Sequence, residues 1–195
     1  RMKADVLKEL PPKTENVYRI ELEEEQRKLY LAAVVDAREK LQAAKPGDKM
    51  AVFAVLMRLR EICCDPRLIA DNWTGGSAKL DACIELVTSA VESGHRILLF
   101  SQFTSMLELL AKRLDAEGVS HFTLQGSTPK PVRAELVRRF NGGEASVFLI
   151  SLRAGGTGLN LTAADIVIHY DPWWNVAAQN QATDRAYRIG QQNPV

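Results

Sequence analysis

From Gly94 onward, short apolar runs follow one another at regular intervals, and this rhythm restricts the fold more than any other feature of the chain. "RILLF" (96–100), "SHFTLQ" (120–125), "SVFLIS" (146–151) and "ADIVIHYD" (164–171) each have the length and β-branched or aromatic content of a buried strand. Amphipathic stretches intervene, "TSMLELLAKRLDAEG" closed by Gly118 and "PKPVRAELVRRFNGG" stopping at Gly142, and "NVAAQNQATDRAYRI" is read as a last helix. Strands that alternate with helices of this length predict an α/β fold, a parallel sheet with helices on both faces. In such sheets ligands bind outside the carboxyl ends of the strands. The functional loops are therefore expected at 101–103, 126–128, 152–160 and 172–175.

The first 93 residues read differently. Residues 1–16 are charged and contain Pro11-Pro12, as a linker or strap does. "NVYRIEL" (16–22) alternates apolar and polar residues and predicts a half-buried strand. A helix is expected from Glu23 to about Ala44, broken by "KPGD", and a second over "KMAVFAVLMRLREICC", whose stripe of Phe53, Leu56, Leu59 and Ile62 reads as packing. "DNWTGGS" (71–77) is a loop, with Ser77 placed to cap the helix "AKLDACIELVTSAVES". At 195 residues there is enough chain for one core and a smaller appendage.

Charge and cysteine content exclude several classes. A net charge of +1 carries no global basic signal, so any nucleic-acid binding has to come from a local patch. The three cysteines, Cys63, Cys64 and Cys83, have neither a disulfide framework nor a zinc spacing and read as reduced core residues, with no metal expected. No run approaches the roughly 18 apolar residues of a membrane span, and "RMKADVLKELPPKTE" has no signal-peptide character, so the expectation is an intracellular protein with no membrane partner.

Each expected loop allows a plain reading beside a functional one. "QGSTPK" puts Gly126 and Ser127 at a helix mouth, with Thr128 as N-cap and Pro129 at N1, which makes either an anion site or an ordinary capped helix. Its helix carries Lys130, Arg133, Arg138 and Arg139 against Glu135. "LRAGGTGLN" holds three glycines in four positions, so it is either a close backbone approach to a ligand or a tight strand-to-strand turn, with Arg153 inside it. "DPWWN" places two tryptophans after a strand, and exposing both calls for a nucleic-acid groove or a lobe interface. On a helix "QATDRAYRIGQ" sets Gln181, Asp184, Arg185 and Arg188 on one stripe, beside a flat stripe of Ala178, Ala182, Ala186 and Ile189. Asp184 and Arg188 four apart explain themselves as a surface pair; Arg185 does not, and two guanidinium forks three residues apart suit a phosphate.

Taken in order, "RILLFSQFTSMLELLAKRL", "LQGST…R…VRRFN", "LISLRAGGTGLNLTAADIVIHYDPWWN" and "QATDRAYRIGQ" resemble the second motor lobe of the Swi/Snf (sucrose non-fermenting) family of DNA-dependent ATPases, within helicase superfamily two. The resemblance is dense over 94–195 and looser before it, where "ADVLKELPPKTE" and "LREICCDPRLI…SAKL" are similar to the family's strap and helical insert. It implies residues 1–22 as strap and first strand, 23–76 as helical insert, and 77–195 as a RecA-like lobe that closes on a first lobe across ATP and walks along double-stranded DNA. It implies catalytic roles for Arg185 and Arg188, the latter in the arginine-finger position, and ATP-side roles for Gly158, Asn160, Gln181 and Asp184. Ser101, Gln102, Gly126, Ser127, Arg153 and Trp174 fall where the family faces the DNA backbone. Val176 departs from the family's proline at that position, a change expected to matter little.

No Gly-x-x-x-x-Gly-Lys-Ser/Thr loop and no Asp-Glu-x-His-type motif occurs in the sequence. Phosphoryl transfer needs a phosphate cradle, a metal-holding acid and an arginine finger. The chain, which starts within the strap and stops four residues after Gln191, therefore reads as half of a motor. ATP and Mg2+ are expected with the whole protein, the Mg2+ on the first lobe, and no activity is expected of the half alone. The expected partners are the first RecA-like lobe, duplex DNA and a DNA-bound protein complex, in the cytoplasm or nucleoid of a bacterium or the nucleus of a eukaryote. The competing readings are a non-catalytic DNA-binding or protein-docking α/β module, and a superfamily-two RNA helicase lobe.

Overall fold

The structure, a computed structural model, describes residues 14–45, 47–154, 159–172 and 176–186. In chain order the elements are α1 (Glu24–Ala43), α2 (Lys49–Cys64), a 3-10 turn at Pro66–Leu68, α3 (Ala78–Glu92), β1 (Ile97–Ser101), α4 (Thr104–Ala116), β2 (His121–Leu124), α5 (Lys130–Asn141), β3 (Val147–Ser151), β4 (Ile166–His169) and α6 (Val176–Thr183). The chain divides into two compact units, Tyr18–Cys83 and a second holding Ile84–Val195 with the segment before Tyr18. No described helix is long and apolar enough to cross a membrane.

The second unit is built on a four-stranded parallel sheet in the order β2-β3-β1-β4. Ile97 of β1 lies opposite Val147 of β3 on one side and Ile166 of β4 on the other. All five residues of β1 and all five of β3 are buried, as a strand needs to be when both faces of the sheet are covered. Leu98, Phe100, Leu124, Phe148 and Ile150 join Phe140 of α5, Ala182 of α6, and Leu161 and Ala186 in one apolar cluster. Side chains alternate along a strand, so Ile97, Leu99, Val147 and Leu149 face the opposite side, where the buried stripe Met106, Leu107, Leu110 and Leu114 marks the inner surface of α4. Gly118 ends α4 at φ 69, a conformation that suits glycine.

The Tyr18–Cys83 unit is a helical hairpin. Buried Gln26 donates from Nε2 to the Ile62 carbonyl at 2.8 Å. Asp48 caps α2 by accepting from Met50 and Ala51 N–H. The Ser77 hydroxyl accepts from Leu80 N–H and donates to the Cys64 carbonyl at 2.9 Å, which is the expected cap of α3. Cys64 and Cys83 are buried, and burial pushes the Cys83 thiol up to about 12.

Four local expectations are corrected. Residues 14–22 form no ladder, and Val17 and Tyr18 are 86% and 69% exposed. Alternation prepares a strand, but a strand also needs another to pair with, and among the described residues this segment pairs with none. On α2, Ile62 is buried while Phe53 and Leu56 are exposed, because periodicity marks an apolar face without saying what covers it. At α5 the register shifts by one: Pro129 is the N-cap, and the Thr128 hydroxyl instead accepts from Gln125 N–H at 3.0 Å. Regular helix in α6 ends at Thr183, and the part of the expected helix from 187 to 189 lies outside the described residues. Arg185 and Ala186 then donate to the carbonyls of Ala182 and Thr183, a tightening into three-residue turns.

The amino edge of the sheet is tied by one side chain. Arg96 donates from Nη2 to the carbonyls of Phe140 and Ala145, and its guanidinium lies 4.4 Å from the Phe140 ring centroid. Its backbone N–H donates to Asp165, whose carboxylate also meets His95 Nδ1 at 2.8 Å. Burial holds the Arg96 guanidinium below the usual arginine range, with Asp165 opposing the shift. Arg96→Ala leaves two carbonyls without their donor and should cost about 1–3 kcal/mol. At roughly 2–4 °C per kcal/mol for a chain of this size, a thermal melt that moves by less than a degree contradicts the tie.

Candidate functional site

The strand order creates a crevice. From β1 the chain crosses towards β2, and from β3 it crosses the other way to β4, so the loops after two adjacent strands part from each other. Ser101 and Ser151 stand opposite each other where they part. Both are buried and used internally. Ser101 Oγ accepts from Phe103 N–H at 3.1 Å, and Ser151 Oγ accepts from Ala154 N–H at 3.2 Å. Gln102 N–H donates to the buried Asp171 carboxylate at 3.1 Å, Leu152 N–H to the Ser101 carbonyl, and Tyr170 N–H to the Phe100 carbonyl. The three loops are thus fastened to each other, with Ser101 shaping its loop from inside and Arg153 exposed beside it.

Beyond β2, Gly126 and Ser127 are exposed, and the space a Gly126 Cβ would take is open. Arg133 reaches back over this loop from the first turn of α5. It donates to the carbonyls of Thr128 and Gly126 at 2.7 Å each, with a longer contact to Gln125 at 3.4 Å. The other arginines of α5 are engaged as well. Arg138 forms a fork on Glu135, which raises the arginine and lowers the carboxyl, and Arg139 meets Glu144 at 2.7 Å. The basic face of this helix is therefore partly self-paired, and Pro131 at its second position removes one of the N–H groups an anion would use.

A second group lies apart from this edge. The eight residues of α6 span about 12 Å of helix. His169 Nε2 meets the hydroxyl of Thr183, the last residue of α6, at 3.0 Å. Ala182 and Ala186 are buried in the apolar cluster, so the turn 184–186 sits close to its support. The Arg185 carbonyl accepts from Leu161 N–H at 3.0 Å, and Arg185 itself is 6% exposed, not a solvated surface residue. Asn160 is exposed and its carbonyl accepts from Asn141; Gln181 is exposed and Asp184 half-buried. The loop after β3 thus returns towards the amino edge, where Asp165 meets Arg96, and only part of the candidate set stands at the carboxyl ends. Gly158, Trp174 and Arg188 lie outside the described residues.

Asp171, Arg133 and Asn141 carry contacts that the sequence reading did not assign. Asp171 ends a strand beside a proline and reads as a turn residue; Asn141 precedes Gly-Gly and reads as a helix terminator. Among the described residues no three His, Cys, Asp or Glu side chains come together as a metal site.

A parallel sheet with helices against it and parting loops at one edge defines a RecA-like α/β lobe. The chain belongs to the family described as "Helicase conserved C-terminal domain", matched over residues 78–190, and residues 1–68 match the SNF2-related domain. It is 38% identical to the mouse SWI/SNF-related matrix-associated actin-dependent regulator of chromatin subfamily A member 1, over 100% of the chain and 20% of that protein. It is 36% identical to an uncharacterized ATP-dependent helicase of Mycoplasma genitalium, over 100% of the chain and 19% of that protein. The chain thus spans about a fifth of the length of these curated relatives. The Sulfolobus solfataricus SWI2/SNF2 ATPase core in complex with dsDNA superposes with a TM-score of 0.81 at 29% identity, covering 99% of this chain and 42% of that one.

The Arg133 brace gives a local test. Lysine keeps the charge but cannot fork over two carbonyls. Arg133→Lys is expected to lower the melting point by about 2–4 °C, the equivalent of one lost hydrogen bond, and to speed amide exchange at 125–128. Unchanged exchange there means the loop holds itself.

Proposed function

We propose that this chain is the second motor lobe of a Swi/Snf-type, ATP-dependent translocase of double-stranded DNA. Arg185 and Arg188 are its phosphate-facing groups, and the carboxyl-edge loops its DNA-backbone contacts. The observation that carries the reading is the hydrogen bond from Leu161 to the Arg185 carbonyl, which joins the end of the glycine loop to the arginine motif. Two segments more than twenty residues apart in sequence are brought to one place, as a nucleotide site shared between them needs. The name of the archaeal relative adds duplex DNA as the partner, and the names of the curated relatives add ATP.

The chemistry asked of this lobe is electrostatic. A transferring phosphoryl group spreads charge over its oxygens, and a guanidinium held in place meets that charge without reorganising. Burial of Arg185 and its braced backbone supply the fixed geometry. Asn160, Gln181 and Asp184, with Gly158, are assigned to the ATP side. Mg2+ would neutralise phosphate charge when bound, and it is assigned to the first lobe because the metal-holding acid motif does not occur in this sequence. On the DNA side, Gln102, Gly126, Ser127, Arg153 and Trp174 are proposed to meet phosphate oxygens, with Ser101 holding Gln102 in place from within.

In the two-lobe protein, alanine at Arg185 or Arg188 should lower ATP turnover by about 10³–10⁵-fold, the usual loss for an arginine finger. The Arg188 variant should melt with the parent, whereas Arg185→Ala should also lose some stability because its stem is packed. Turnover is therefore measured well below both midpoints. Parental turnover in both variants would leave the docking-module reading in its place.

The isolated chain should hydrolyse no ATP and should bind duplex DNA weakly, without base preference and only at low salt, since phosphate contacts release counterions. Binding that survives about 0.5 M salt, or that follows base sequence, contradicts backbone recognition.

A further inference from the structure

We infer that Asn141 is a positioning residue for Arg185, an inference that rests on the nucleotide-side reading of the arginine turn. A polar residue ahead of two glycines at a helix end ordinarily serves its own helix. The Asn141 side chain instead reaches 19 and 22 residues along the chain. Its Nδ2 donates to the Asn160 carbonyl at 2.9 Å, and its Oδ1 accepts from Ala163 N–H at 3.4 Å. Those two contacts fix the amide orientation, because a carbonyl accepts and an N–H donates. One planar group thus staples both ends of a four-residue segment.

Inside that segment Leu161 does two things. Its side chain is fully buried in the apolar cluster, and its N–H donates to the Arg185 carbonyl at 3.0 Å. The Leu161 carbonyl accepts from Ala164 N–H at 3.2 Å, closing the turn. Asn141 is itself held in place, since its neighbour Phe140 is fully buried and accepts from Arg96 through its carbonyl. A path of direct contacts therefore runs from the end of α5 through residues 160–163 to the backbone of Arg185. Aspartate at 141 supplies the acceptor alone and puts an oxygen against the Asn160 carbonyl; alanine supplies neither.

The test compares Asn141→Ala, Asn141→Asp, Arg185→Ala and the double variants Asn141→Ala/Arg185→Ala and Asn141→Asp/Arg185→Ala in the two-lobe ATPase, with saturating duplex DNA, well below every melting point. A misplacement of about 1 Å in a catalytic group costs on the order of 10²-fold in rate. Each Asn141 variant should lose turnover on that scale with DNA affinity unchanged. Each double variant should be no slower than Arg185→Ala alone, because residues that act through one another are not additive. Aspartate keeps the side-chain volume and supplies the test should the alanine variant fold poorly. Multiplicative losses in the doubles, or parental turnover in both folded single variants, overturn the inference and leave Asn141 a stability residue. Parental turnover in Arg185→Ala removes the nucleotide-side role of Arg185 and takes this inference with it, whereas the motor reading itself falls only if Arg188→Ala is parental too.

Discussion

The central strand β1 is the constraint on which the rest depends. It pairs on both sides, its apolar residues are at most 1% exposed, and segments from both halves of the proposed site are fastened at its two ends. At its amino end Arg96 gathers the end of α5, the approach to β3 and the start of β4. At its carboxyl end the carbonyls of Phe100 and Ser101 hold the loops that follow β4 and β3. Truncating one buried leucine in such a strand costs about 2–5 kcal/mol, against a typical net stability of roughly 5–15 kcal/mol for a domain. Precision at the loops is therefore inherited from packing several residues away.

Helix α5 gives that architecture a second use. Its 12 residues span about 18 Å. Arg133 in its first turn grips the loop proposed to face DNA, and Asn141 in its last turn grips the segment that braces Arg185. Between them Phe140 anchors the helix in the core. The contacts proposed for DNA and for nucleotide are thus fastened to the two ends of one rigid body. The proposed motor lobe would have to relate these two events, and a packed helix would do so without a hinge.

The sheet was legible in the sequence because β1 and β3 are continuous apolar runs, and a run of that kind forms only where both faces are covered. The family was legible because spaced motifs survive where pattern alone is ambiguous, and the match over residues 78–190 shows it. What could not be read was anything set by a partner distant in sequence. "NVYRIEL" alternates as a strand does, yet pairs with no strand among the described residues. Arg185 was set apart from the surface pair of Asp184 and Arg188 in the sequence, but only the fold shows how far it is buried, with Ala182 and Ala186 in the core beside it. Asn141 looked like a helix terminator, because nothing in "RRFNGG" tells of Asn160 or Ala163. Thr128 and Pro129 were misplaced by one residue for a simpler reason: the hydroxyl found a better donor in Gln125.

The central claim, that this lobe completes a DNA-driven ATPase, is tested most directly by joining the chain to a first lobe of the same family and measuring ATP hydrolysis with and without duplex DNA. The account predicts turnover that rises when duplex DNA is added and that neither lobe shows alone. A folded two-lobe protein whose hydrolysis is absent, or is indifferent to DNA, contradicts it.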